Sequence, residues 1–148
     1  MSRWKRTKGK IKNSYKAYKH GFVNFRKLIK FMKIAPSGVD EKSVPHMTVF
    51  EVKDLLDKND LLIVDVRSLK DYTGVHIEGS VQMDLFSLLE HLDELPKDKN
   101  IGMLCYGGGA SLTATQMLIE RGFTNVKNIT GGIIRYALDI DDSLLGNL

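Results

Sequence analysis

Met103-Leu104-Cys105-Tyr106-Gly107-Gly108-Gly109-Ala110-Ser111 is the stretch on which the reading of this 148-residue chain turns. It holds the only cysteine. The apolar run Ile101 to Leu104 leads into it, and a segment with helical spacing from Ser111 to Arg121 leads out. A thiol at a strand end, then a glycine turn, then a helix N-terminus is a layout that favours a thiolate. The helix start offers unpaired backbone N–H groups and a partial positive charge. Glycines let further N–H groups converge on one anion. The thiolate, not the thiol, is the nucleophile. Cys105 is therefore either a nucleophile or a small buried hydrophobe; the three glycines that follow it weigh toward the first.

Outward from this stretch the chain alternates helices with short apolar strands. Thr48-Val49-Phe50-Glu51 matches a capping box and predicts a helix from about Val49 to Asp57. Leu61-Leu62-Ile63-Val64 predicts a strand buried on both faces. Val81-Gln82-Met83 predicts a weaker strand. Asp84 caps a helix through about Leu92, with Phe86, Leu89 and Leu92 spaced for one face. The helix from Ser111 turns Ala114, Met117 and Leu118 inward and stops at Gly122. Val126 to Ile129 is a further strand, and Gly131-Gly132 opens a last helix. This pattern predicts an α/β domain with a parallel sheet covered on both faces. In such a sheet ligands sit beyond the carboxyl ends of the strands, where Cys105 and Asp65 both fall.

The net charge of +4 hides an asymmetry. Residues 1–34 carry nine lysines, three arginines and no acid, a charge of +12. The ten remaining basic residues face all eighteen acids, leaving residues 35–148 at −8. The chain thus divides into a basic arm (1–34), a linker (35–47) holding two of the three prolines, and a domain from 48 to 148. One cysteine excludes an intrachain disulfide and an ordinary cysteine zinc site, and it fits a reducing, cytoplasmic setting. His20, His46 and His91 have no partners at metal-ligand spacing, so no metal or cofactor is expected. No apolar run approaches the length that spans a bilayer. The N-terminal region lacks the continuous apolar core of a secretory signal.

Asp65-Val66-Arg67, Tyr72 and Gly74, His76-Ile77-Glu78-Gly79-Ser80, the Cys105 loop, Gly122-Phe123-Thr124-Asn125-Val126 and Gly131-Gly132 follow one another at fixed spacing. In that order they resemble the single-domain rhodanese family over roughly residues 47 to 140. The resemblance implies a three-layer α/β domain with a central parallel five-stranded sheet. It implies that Cys105 takes a sulfane sulfur from a donor such as thiosulfate, becomes a persulfide, and passes the sulfur to a thiol or protein acceptor. Tyr106, Gly107, Gly108, Gly109, Ala110 and Ser111 would then form the substrate-binding loop. Many members carry arginine at the position of Ala110, which supplies no cation for an anionic donor. Related phosphatases close their cysteine loop with an arginine that neither Ala110 nor Ser111 provides. Around the site, Asp65 and Arg67 are expected to form a structural ion pair and His76 to be a structural, hydrogen-bonded histidine. Ser111 is expected to cap its helix.

The arm has its own pattern. Ile11, Tyr15, Tyr18, Phe22, Phe25, Ile29 and Met32 recur at the period of one helix face, with lysines between them. That stripe suits packing on the chain's own domain, or an anionic membrane surface. A coiled-coil dimer is disfavoured by the uncompensated positive charge. Nucleic acid finds no recognised motif. Two functions remain: a sulfurtransferase or persulfide carrier working through Cys105, and a rhodanese-like scaffold of weak or no activity. In the second, the arm binds an anionic membrane surface, at the inner face of the membrane, or a partner.

Overall fold

The apolar run at residues 61–64 becomes a strand one residue later, Leu62–Asp65, buried at every position. The computed structural model describes residues 39–148. The expectations for the basic arm and the start of the linker lie outside the described residues. In chain order the elements are β1 (His46–Met47), α1 (Val49–Asp57), β2 (Leu62–Asp65), α2 (Leu69–Gly74), β3 (Val81–Gln82), α3 (Leu85–His91), β4 (Ile101–Leu104), α4 (Gly109–Glu120), β5 (Val126–Ile129) and α5 (Gly132–Asp139). Short 3-10 turns form at Glu41–Ser43, Leu92–Glu94 and Asp142–Asn147. The strands make one five-stranded sheet in the order β1-β5-β4-β2-β3. Every pairing in it is parallel.

Local chemistry accounts for the element ends. Thr48 closes both halves of its capping box: its hydroxyl accepts from the Glu51 N–H at 3.2 Å, and Glu51 Oε2 accepts from the Thr48 N–H at 2.6 Å. Asp84 accepts from the N–H groups of Phe86 and Ser87 and starts α3. Within α3 the buried positions are Ser87 and Leu88, with Leu92 just beyond it also buried. Phe86, expected on the inner face, is only partly covered. The expected helix at Ser111 begins two residues earlier, at Gly109, with Gly108 as its cap. The cap role assigned to Ser111 is therefore wrong: its hydroxyl lies in the first turn and is used elsewhere. The end of the expected linker also belongs to the sheet, since His46–Met47 pairs with Asn128 and Ile129 of β5.

Strand alternation divides the core in two. Leu62, Val64, Ile101 and Met103 face a layer containing Leu88, Leu92, Ala114 and Leu118 from α3, the turn after it, and α4. Ile63, Leu104 and Ile129 face Val49, Val52, Ile133 and Tyr136 from α1 and α5. Leu62, Val64, Met103, Leu104 and Ile129 have essentially no exposed surface. Full burial of such a side chain stabilises by about 1.5–3 kcal/mol. The two apolar layers therefore hold the carboxyl ends of β2 and β4 in place. Those neighbouring ends carry Asp65 and lead into Cys105.

Candidate active site

Cys105 follows β4 directly and is 5 % exposed. The loop carbonyls turn away from the thiol toward the start of α5. Cys105 O accepts from the Ile133 N–H at 2.9 Å, and Tyr106 O accepts from the Ile134 N–H at 3.2 Å. These are N–H groups that a helix start leaves unpaired. The approach is so close that α5 must open on glycine. A Cβ on Gly132 would lie 2.2 Å from Tyr106 O and 2.5 Å from Cys105 O, at a φ of +60°. With its carbonyls held outward, the loop turns the Gly108 N–H inward to Cys105 Sγ at 3.1 Å. Of the three loop glycines, Gly108 alone has a positive φ, +102°. Gly107 and Gly109 would meet nothing with an added Cβ.

A hydrogen-bonded chain runs behind the sulfur. Cys105 Sγ lies 3.2 Å from Ser111 Oγ. Ser111 Oγ donates to Asn128 Oδ1 at 2.6 Å. Asn128 Nδ2 donates to Gly108 O at 3.2 Å and lies 3.4 Å from His46 Nδ1. His46 Nε2 donates to Glu41 O at 2.9 Å. Ser111 and Asn128 are both buried. Sequence reasoning missed Asn128 and His46. The one available signal was a polar residue at an inward strand position, between Val126 and Ile129.

In front of the sulfur is an open pocket of about 380 Å³, lined by Val66, Arg67, Ser68, Asp71 and the Cys105 loop, including Tyr106 and Ala110. Arg67 is buried and doubly bonded to buried Asp65, with Nη2 2.7 Å from Asp65 Oδ2 and Nε 3.0 Å from Oδ1. Nη2 also donates to Val75 O at 2.8 Å. This is the structural pair the sequence suggested, and Arg67 additionally walls the pocket. Burial opposes the Arg67 charge, but the Asp65 hydrogen bonds and charge outweigh it and raise the guanidinium pKa. The Tyr106 ring lies over the Arg67 guanidinium, 4.9 Å from Cζ to the ring centre. Opposite stands Asp71. Hydrogen bonds from the Ser68 and Tyr106 hydroxyls hold its carboxyl below the ordinary range. Asp71 in turn raises the Tyr106 hydroxyl. Ala110 sits at the rim in the first turn of α4.

The remaining expected residue stays outside. His76 Nδ1 donates to Tyr72 O at 2.8 Å, and its ring stacks on Tyr72 at 4.2 Å. It is a structural residue on the surface and does not line the pocket. Val66, Ser68 and Asp71 are pocket residues that sequence reasoning did not foresee. Asp71 enters on α2, whose six residues bury nothing and so carry no periodic signal, and Val66 and Ser68 lie in the connection from β2 to α2.

A strand-end cysteine in a turn that leads to a helix, on a five-stranded parallel sheet, defines a rhodanese-like α/β domain. The rhodanese-like domain model matches residues 48–138, and the chain belongs to that family of sulfurtransferases. Among curated relatives, the thiosulfate sulfurtransferase GlpE of Pseudoalteromonas translucida is 33 % identical over 87 residues, covering 59 % of this chain and 83 % of that protein. The tRNA uridine(34) hydroxylase of Photorhabdus laumondii is 31 % identical over 117 residues, covering 71 % of this chain. The match spans a third of that hydroxylase, 33 % of its length. The human single-domain sulfurtransferase TSTD1 superposes with a TM-score of 0.62 at 20 % identity, over 64 % of this chain and 96 % of that one, a likeness of fold. The thiosulfate sulfurtransferase of Pseudomonas aeruginosa gives 0.61 at 26 % identity, over 66 % of this chain and 19 % of that one.

Proposed function

We propose that this chain is a sulfurtransferase that carries sulfane sulfur on Cys105 and delivers it to a thiol or protein acceptor. The observation that carries the reading is Cys105 Sγ, held by the Gly108 N–H at the back of an open pocket at the strand end. In the first step the Cys105 thiolate attacks the outer sulfur of the donor. With thiosulfate, an Sγ–S bond forms, the donor's S–S bond breaks, and its electron pair leaves with sulfite. The product is a Cys105 persulfide anion. In the second step an acceptor thiolate attacks the outer sulfur, the S–Sγ bond breaks, and its electron pair returns to Cys105 as thiolate. The acceptor becomes the persulfide. Charge balances in both steps, and two displacements through a covalent intermediate give ping-pong kinetics. No second cysteine is present in these 148 residues, so the acceptor lies outside them.

The charged lining bears on the donor. Arg67 already has its counter-ion in Asp65, and Asp71 adds a negative charge. A dianionic donor therefore meets less attraction than a pocket with a free arginine at position 110 would offer. Residues 1–34, at +12, are proposed to bind an anionic membrane surface and hold the domain at its cytoplasmic face.

Intact-mass spectrometry tests the central claim. After thiosulfate or polysulfide, the chain gains one sulfur atom, cyanide or a dithiol removes it, and Cys105→Ser never acquires it. No adduct with any of these donors overturns the sulfurtransferase reading and leaves a scaffold.

A further inference from the structure

The polar chain behind Cys105 has a fixed direction, and each link is set by a group with one choice. Gly108 O and Glu41 O are carbonyls and only accept. Gly108 O therefore fixes which end of the Asn128 amide is Nδ2, at 3.2 Å. Glu41 O fixes the His46 proton on Nε2, at 2.9 Å. His46 Nδ1 is then an acceptor, and the Asn128 Nδ2 and Thr130 hydroxyl groups at 3.4 Å both face it as donors. With Nδ2 so placed, Oδ1 faces Ser111 and must receive a hydrogen. A serine hydroxyl has one hydrogen to give. At 2.6 Å, Ser111 gives it to Asn128. The sulfur 3.2 Å away cannot receive that hydrogen, so Cys105 as a thiol donates its own to Ser111 Oγ.

We infer that Asn128 is a positioning residue that acts on Cys105 through Ser111, by holding the Ser111 hydrogen away from the sulfur. As long as it does, the thiolate receives the Gly108 N–H but not the hydroxyl. A Ser111 rotation that served the thiolate would leave Asn128 Oδ1, in a residue only 3 % exposed, without its donor. A persulfide does not face this conflict. Its negative charge sits on the outer sulfur, away from Ser111, and Sγ then needs no hydrogen from the hydroxyl. Asn128 thus disfavours the free thiolate while leaving the loaded state alone. The inference rests on Cys105 being the sulfur carrier, but its test does not.

The test is the rate of Cys105 alkylation by iodoacetamide across pH, on the full chain. Asn128→Leu removes the acceptor at similar volume. Its alkylation at neutral pH rises severalfold, and the pH–rate profile moves toward lower pH. Asn128→Ala moves in the same direction and carries the test where the leucine variant does not fold. In a Ser111→Ala background the same Asn128 substitutions change nothing, because the hydroxyl they release is gone. The charged groups facing the pocket, Arg67 and Asp71, with Tyr106 from the loop, are untouched in all of these variants. An unchanged or slower alkylation in the folded variants, or an equal acceleration without Ser111, overturns the inference. Failure here with a normal sulfur adduct on the wild-type chain sinks this inference alone. A missing adduct with the predicted alkylation pattern sinks the sulfurtransferase reading alone.

Discussion

Gly132→Ala should damage this protein far more than Gly122→Ala, and the difference measures how tightly α5 is docked on the cysteine loop. Both glycines have a positive φ, +60° and +85°. A left-handed backbone costs an alanine about 1–2 kcal/mol. That cost is offset in part by the stiffer unfolded chain, by roughly 0.4–1 kcal/mol. At Gly122 nothing lies near an added Cβ, so the net loss is about 1 kcal/mol. At Gly132 the Cβ would sit 2.2 Å from Tyr106 O and 2.5 Å from Tyr106 C, which are backbone atoms and cannot swing aside. Helix and loop must separate. The hydrogen bonds from Ile133 to Cys105 O and from Ile134 to Tyr106 O are then lost. At about 1 kcal/mol each, they bring the total to about 3 kcal/mol. For a domain of this size the two variants should melt roughly 8–16 °C apart. Thermal unfolding followed by circular dichroism reads the gap, and urea midpoints check it. Gly132→Ala should also weaken the Gly108 N–H contact, because the loop loses its outward anchors. Equal destabilisation of the two variants, within about 0.5 kcal/mol, would refute the close-approach argument.

Three further outcomes are expected. Ala110→Arg should lower the KM for thiosulfate by up to about tenfold while changing kcat little, since a rim guanidinium adds charge-assisted bonds that solvent partly screens; steady-state kinetics on both forms decides it. The Glu51 carboxyl lies below its ordinary value of 4.5, chiefly through the Thr48 backbone N–H. A lowered folded pKa stabilises above 4.5 and loses that contribution as pH falls through the folded value, so urea midpoints of wild type and Glu51→Gln should differ at pH 7 and converge in that acid range. The full chain should float with anionic vesicles at low salt and release at high salt, and Phe22→Ser with Phe25→Ser should weaken the attachment. Absence of flotation at low salt removes the membrane role of the arm.

The parts of the fold that could be read from the sequence are those with a strong local cause. The capping box at Thr48, the apolar runs of β2 and β4, and the double glycine before α5 each act within a few residues, and each lies within a residue or so of its expected place. The edge strand His46–Met47 reads as linker in the sequence because two residues cannot carry an alternation, and a proline precedes them. Helix α2 was invisible because Leu69 to Gly74 buries no residue, so no face is marked. At the site, Cys105 and its glycine turn were legible, and Asp65 and Arg67 were paired correctly. Ser111 looks like a helix cap in the sequence, but Gly108 holds that place. A hydroxyl near a helix start has two uses, and only tertiary contact with Asn128, seventeen residues on, decides between them. Asp71 reached the pocket in the same non-local way.

The depth of Cys105 has a consequence for who can take sulfur from it. The unloaded sulfur is nearly enclosed, whereas Tyr106 at the pocket mouth is 41 % exposed. A sulfur added to Cys105 stands one bond further out along the pocket. In the proposed reaction, the reacting atom of the second step then lies nearer the pocket mouth than that of the first. Small donors must enter to load the chain. A folded acceptor too large to enter needs only to present its thiol at the doorway. Size thus sorts the two half-reactions by direction, and a bulky thiol reagent that ignores the empty chain becomes a selective reporter of the charged one.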